Sequence, residues 1–311
     1  MLEHEHRVSP ISTYLYLVMA ALFWGGTFVA GRKLAPLLDP HAAAFLRFCL
    51  ASVLLLGWLY WRLGCIPKIS SRQWLAVILL GASGIFAYNL LFFSGLQTVE
   101  AGRASLIIAA NPVLIALVSH WLFREHLGWF RGLGIALSVA GAMIVIGRGD
   151  IFGLLAGQVG TGELLLLGCV VSWVAYTLIG RRVLRGLSPL VAVSYASVVG
   201  TVLLGLVTLS QGGIGLAAMQ DLQVWLNIAY LAVFGTVLAF VWFYKGVQAL
   251  GASRAAQFIN LVPVSGVCLG AWLLDEPVTW SLLSGGLLVL LGLWLTNRPS
   301  GGSAAQVPER V

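Results

Sequence analysis

Apolar residues run in long unbroken stretches from residue 12 to residue 297, with short polar connections between them. Stretches of about 17–25 such residues are long enough to cross a bilayer as helices. Ten are legible: 12–31, 42–61, 74–96, 104–123, 128–147, 163–180, 189–210, 224–244, 255–274 and 279–297. No segment alternates long enough for a lipid-facing barrel strand. The pattern predicts an all-α integral membrane protein of ten transmembrane helices. The first run is too long for a signal h-region and lacks a small-residue cleavage site, so it is expected to stay as a helix.

Composition narrows the class. Of 311 residues, 59% are hydrophobic and 9% charged, against about 45–50% and about 25% in soluble domains. So few charges cannot cover a soluble surface of this size. That excludes an ordinary soluble enzyme, a disordered chain and a nucleic-acid-binding module. The net charge of +7 is spread along the chain and reads as topology. With the N-terminus inside, thirteen Lys and Arg fall on the cytoplasmic side and four (Arg32, Lys33, Arg103, Arg148) outside. This predicts a multi-pass membrane protein with both termini cytoplasmic. Arg47 lies within a span, close enough to its start to snorkel outward. The tail 299–311 is expected to be disordered and cytoplasmic. Cys49, Cys65, Cys169 and Cys268 show neither CxxC nor metal spacing. Three of them sit in apolar runs and read as buried thiols, and no metal or cofactor is expected.

The chain repeats itself. A shift of 149 places Trp24 on Trp173, Gly31 on Gly180 and Pro40 on Pro189. After a two-residue insertion, a shift of 151 places Trp74 on Trp225, Gly84 on Gly235, Phe92 on Phe243, Gly95 on Gly246, Pro112 on Pro263, Trp121 on Trp272, Glu125 on Glu276 and Trp129 on Trp280. Composition bias alone would align Leu and Ala, not tryptophans. Five helices per half force the second half to enter from the opposite side. The expected organisation is two inverted five-helix repeats, 1–147 and 163–298, joined by an extracytoplasmic Gly-rich linker, 148–162. Inverted repeats around a midplane site are a secondary-transporter architecture.

Ten helices in two such repeats resemble the drug/metabolite transporter superfamily, EamA type, over about residues 10–298. The residues that carry the likeness are Trp24-Gly25-Gly26, Asn111-Pro112-Val113 through Phe123-Arg124-Glu125, and Pro263-Val264 through Leu274-Asp275-Glu276-Pro277. The chain is most similar to the YddG-type amino-acid exporters. That resemblance implies export of small amphipathic metabolites across a bacterial inner (plasma) membrane, aromatic or apolar amino acids first; drugs and nucleotide sugars are the alternative.

Polar and aromatic residues in mid-span mark the candidate solute site. The first helix carries Trp24, Thr27, Phe28 and Gly31 at i, i+3, i+4 and i+7, and the sixth carries Trp173, Tyr176, Thr177 and Gly180 at the same positions; each is one helical stripe. Cavity lining and plain helix packing both explain these stripes. The third helix adds Tyr88, Asn89 and Phe92, and the eighth adds Trp242. Asn89 needs a partner in lipid, and a helix–helix clasp would supply one as readily as a solute. Gln257 and Asn260 share a face of the ninth helix, and their repeat counterparts are Leu106 and Ala109. Pro112 and Pro263 are equivalent prolines inside the fourth and ninth helices, and each strips a backbone partner from a carbonyl. They are the expected hinges. The first, third, fourth, sixth, eighth and ninth helices are expected to line the cavity.

No Asp or Glu lies in the middle of any span. Glu125 and Glu276 end their helices and are expected to cap helices or pair with loop arginines, for example Glu125 with Arg131. His120 reads as a packing residue. Without a proton relay, the expected transport is facilitated and uniport-like. Gly81-Ala82-Ser83-Gly84 matches an intramembrane serine-protease motif, but the repeat copy has no serine and the candidate base, His120, has no positional support in the sequence. No nucleotide-binding motif is present. The expected protein is not an enzyme; its partners are a small-molecule substrate and membrane lipid, with no nucleic acid, and it acts as a monomer.

Overall fold

The computed structural model describes residues 10–123, 128–183, 187–250 and 252–296. Among them, nine helices are long and apolar enough to cross a membrane, and Trp280–Thr296 is a shorter apolar helix of 17 residues, still within the spanning range. The spans are α1 (Pro10–Leu34), α2 (Pro40–Leu63), α3 (Ser71–Gly95), α4 (Ala101–Ile108 and Asn111–Phe123), α5 (Trp129–Ile146), α6 (Thr161–Val183), α7 (Pro189–Ser210), α8 (Leu222–Ala229, Tyr230–Leu238 and Ala239–Leu250), α9 (Ala252–Ile259 and Leu261–Leu274) and α10 (Trp280–Thr296). The stretch between α5 and α6 holds a short helix, Ile151–Leu155. The tail 299–311 and Glu125 lie outside the described residues.

Local sequence sets the ends. α2 and α7 both start with proline at the first helical turn, Pro40 and Pro189, where no backbone donor is lost. α2 stops at Gly64, whose φ of 69° only glycine adopts without strain. Ser70 and Gln73 form a reciprocal capping box at the start of α3.

The two halves break regularity at matching places. α3 contains a π-helical stretch, Gly81–Ala87, and α8 contains another, Tyr230–Leu238; a shift of 151 maps the first into the second. α4 breaks after Ile108, and α9 after Ile259, its counterpart. Pro112 and Pro263 follow within the first turn of each second segment, where the missing donors would have bonded Ile108 O and Ile259 O.

Packing follows the same two-fold logic. A Cβ on Gly95 of α3 would strike Leu166 of α6; a Cβ on Gly246 of α8 would strike Leu17 of α1, the counterpart of Leu166. Gly84 abuts Tyr176, and its counterpart Gly235 abuts Thr27, the counterpart of Tyr176. α5 and α10 touch backbone to backbone through Gly134, Gly141, Gly285 and Gly292, as small residues allow in lipid. Ser52 of α2 and Thr201 of α7, 149 residues apart, share a hydrogen bond of 2.9 Å. A residue bonded to its own repeat counterpart sits on the pseudo-two-fold axis.

The tryptophan coincidences acquire a physical meaning. Trp74, Trp121 and Trp129 are exposed at span ends on one side of the bundle, and Trp225, Trp272 and Trp280 are exposed at span ends on the other. Inversion has carried one interfacial belt to both membrane faces. The expectation for cysteine is corrected: Cys169 is buried, but Cys49 and Cys268 are exposed, because these positions face outward from the bundle.

Candidate functional site

A cavity of about 690 Å³ lies between the repeats, within the range of small-molecule sites, roughly 300–1,000 Å³. α1, α3, α4, α6, α8 and α9 line it, as the sequence predicts, and α2, α5, α7 and α10 contribute as well. Of the residues singled out from sequence, Trp24, Phe28, Tyr88, Asn89, Phe92, Trp173, Tyr176, Thr177, Asn260, Pro112 and Pro263 lie in its wall. Two do not. Trp242 turns toward α1, its ring 5.4 Å from those of both Tyr16 and Phe23. Gln257 is exposed on the outside of α9. Tryptophan and glutamine at those heights satisfy lipid and interface as well as a cavity, and helix rotation decided between them.

Aromatic rings form two clusters. Trp173 packs against Tyr88 at 5.4 Å and Tyr176 at 5.1 Å. Its repeat counterpart Trp24 packs against Phe240 at 5.6 Å and Phe243 at 5.4 Å. Such faces hold apolar groups and cations. Phe28 meets Phe92 edge-on at 5.3 Å, and Phe92 meets Phe93 likewise. Just beyond them, Arg32 Nη1 donates to the carbonyls of Leu96 and Gln97, each at 2.6 Å. The lining of the cavity ends at this layer, on the side where α1 finishes. The repeat counterparts of Phe28 and Phe92 are Thr177 and Phe243; both line the wall. Past that pair the cavity continues toward Arg131 at the start of α5 and Thr296 at the end of α10.

Arg47 is the residue the sequence reading misplaced. It does not snorkel to the interface: it is 9% exposed and reaches into the cavity wall. Its Nη1 donates to Asn89 Oδ1 at 3.0 Å and its Nη2 to Thr236 Oγ1 at 3.4 Å. Asn89 is thereby clasped between helices, and its Nδ2 also donates to Ile85 O at 2.8 Å. One signal could have found Arg47: its repeat counterpart is Ala196, an asymmetry larger than that of Gln257 or Asn260. Among the described residues that line the cavity there is no Asp or Glu. Glu276 instead caps the N-terminus of α4, accepting from Ala101 N at 2.6 Å and Gly102 N at 3.0 Å. Arg103, counted above as an outside loop charge, is buried, pairs with Glu100 at 3.0 Å and bonds Val145 O. His120 is exposed on α4. Ser83 donates its hydroxyl to Leu79 O in its own helix at 2.7 Å, as a helical serine does in lipid.

The description "EamA-like transporter family" matches residues 11–147 and again residues 160–298. The chain belongs to the EamA-like transporter family. The EamA-like fold thus occurs here twice, once per five-helix repeat. Among similar proteins are the uncharacterized transporter YyaM of Bacillus subtilis, 29% identical over 91% of this chain and 92% of that one, and an uncharacterized transporter of Archaeoglobus fulgidus, 27% identical over 92% and 97%. A WAT1-related chloroplastic protein of Arabidopsis thaliana is 26% identical over 92% of this chain and 69% of its own length. A crystal structure at 21% identity superposes with a TM-score of 0.63 over 92% of this chain and 96% of that one, a likeness of fold alone. This EamA-like protein is a multi-pass membrane transporter.

Proposed function

We propose that the protein exports small amphipathic metabolites, aromatic or apolar amino acids first, across a bacterial inner membrane by alternating access. The observation that carries this reading is the cavity on the pseudo-two-fold axis, walled by two related aromatic clusters. The Phe28–Phe92 layer shuts one end, and Thr177 with Phe243 stands at the equivalent level toward the other. Exchange of the two repeats' conformations would shut the second end and open the first, which is how inverted repeats alternate. Matching π-turns and proline breaks in α3, α8, α4 and α9 supply the bendable points. With the basic side of the bundle in the cytoplasm, the end of the cavity that carries Arg131 and Thr296 faces inward. A cavity wall without carboxylates favours gradient-driven, uniport-like flux by a monomer over proton coupling.

The test is counterflow in proteoliposomes with a panel of amino acids. Saturable uptake of labelled phenylalanine, leucine or tryptophan into preloaded vesicles, without a pH gradient, is the expected result. Flux that appears only when a pH gradient is imposed overturns the uniport reading, and no counterflow with any amino acid overturns the substrate class.

A further inference from the structure

Arg47 poses an electrostatic problem that the protein itself leaves unsolved. Arginine stays charged in proteins and offers five N–H donors. The protein takes two of them, for Asn89 and Thr236. Nε is buried without a partner, and both partners of the Nη atoms are neutral. Phe48 lies against the guanidinium, 5.1 Å from its ring centroid, and blocks one face. Neutral hydrogen bonds and a ring offset only part of the cost of burying a charge. The second cation in the wall, Arg131, also has a buried Nε without a partner. The wall therefore holds two arginines and no described acid. Opposite in character, Asn111 Oδ1 is a buried acceptor without a donor in the same cavity.

We propose that Arg47 is the carboxylate-recognition residue of the cavity: its free guanidinium donors receive the carboxylate of the solute, while Asn111 Oδ1 and the aromatic faces receive its donor and apolar parts. This rests on the cavity being the solute site and adds the group by which the solute is read. Asn89 and Thr236 hold the guanidinium in place as positioning residues, one from each repeat. A carboxylate suits the fork geometry of arginine and is held by charge-assisted hydrogen bonds. The solute thus brings the counter-charge that the wall lacks.

The experiment titrates the purified full-length protein in detergent, by thermal shift and tryptophan fluorescence, with two matched pairs: L-phenylalanine against L-phenylalaninamide, and 3-phenylpropionate against 3-phenylpropanamide. In at least one pair the acid binds tighter than the amide by about tenfold or more, the scale of a charge-assisted contact. Arg47→Gln reduces that preference to about twofold or less on the same scale. Should Arg47→Gln fail to fold, Arg47→Lys, which keeps the charge and loses the fork, serves in its place and must weaken acid binding. The proposal is overturned if acid and amide bind alike in the wild type, if no acid binds, if the variant keeps the full preference, or if inorganic phosphate stabilises the protein as well as the acids do. Binding of 3-phenylpropionate without L-phenylalanine removes the amino-acid reading and leaves the assignment of Arg47 standing; binding of L-phenylalanine with acid and amide alike in both pairs does the reverse.

Discussion

Gly95 abuts Leu166, and in the other repeat Gly246 abuts Leu17. Arg47 reaches Asn89 and Thr236, whereas the counterparts of these three residues are Ala196, Phe240 and Ile85. The first set of positions has kept its residue types through duplication and inversion; the second has diverged. Close helix contacts explain the conserved set. Two backbones can approach only where a side chain is absent, and that requirement is identical in both halves. Exposed tryptophans at the span ends and the prolines after the breaks in α4 and α9 are kept in both halves as well, the tryptophans because both membrane faces favour them. The cavity obeys a different rule. A small solute has no two-fold symmetry, so a site that fixes its orientation must break the symmetry of the walls around it. On the reading proposed above, Arg47, Asn89 and Thr236 on one side, and Asn111 and Asn260 among the breaks, are where the walls lose their symmetry.

The largest expected effect comes from the symmetric set. Gly141→Leu forces a side chain into Gly285 O and Val289 of α10, and Gly292→Leu forces one into Gly134 and Ser138 of α5. Each variant should lose about 3 kcal/mol or more, at the upper end of overpacking, and the two should lose it alike. Thermal unfolding in detergent and the monodisperse yield measure this. Unequal losses would mean that the two halves of the α5–α10 contact are not equivalent.

Next come the cavity tryptophans, which share a repeat position but not a neighbourhood. Trp173→Phe, beside Tyr88 and Tyr176, should cut counterflow by about tenfold, on the scale of one aromatic contact, with a melting temperature close to wild type. Trp24→Phe, among Phe240 and Phe243, should change substrate preference more than rate. If both variants lose stability in step with transport, the rings pack helices and hold no solute.

Smaller effects are expected at the breaks. Pro263→Ala restores a donor opposite Ile259 O and should stabilise the fold by about 1 kcal/mol, the net worth of one hydrogen bond, while slowing turnover and leaving the half-saturation concentration little changed. Pro112→Ala should do the same. Stopped-flow efflux beside equilibrium binding separates the two quantities; weakened binding with normal turnover would place the prolines in the site and not in the hinge.

The smallest effect lies on the axis itself. Ser52→Ala removes only the bond it shares with Thr201, at a cost of about 0.6 kcal/mol, the average for such contacts in membranes; Thr201→Val removes that bond and the one from Thr201 Oγ1 to Ser197 O, and should cost more. The double variant should cost no more than Thr201→Val alone, because the only bond Ser52 contributes here is already lost in that variant. Chemical denaturation of the three proteins checks this; additive losses would mean that the hydroxyls act separately.

The sequence by itself determined the spans, the duplication and its inversion. Those follow from run lengths, odd helix number and a few rare residues, and lipid allows no other solution for the backbone. It also marked most aromatic residues of the cavity wall, because Trp24 and Trp173 lie too deep in their spans to be interfacial anchors. Which side of each helix faces the cavity was decided only by the tertiary structure. In water an apolar stripe points to the core; in lipid the outward face is as apolar as the packed one, so periodicity does not fix rotation. Trp242 therefore turned to Tyr16 and Phe23, and Cys49 and Cys268 to the bundle exterior; Gln257 is exposed on α9. Arg47 was hidden for a related reason. Its distance from the helix start permits snorkelling, and only the convergence of α2, α3 and α8 brings Asn89 and Thr236 within hydrogen-bonding reach of its guanidinium.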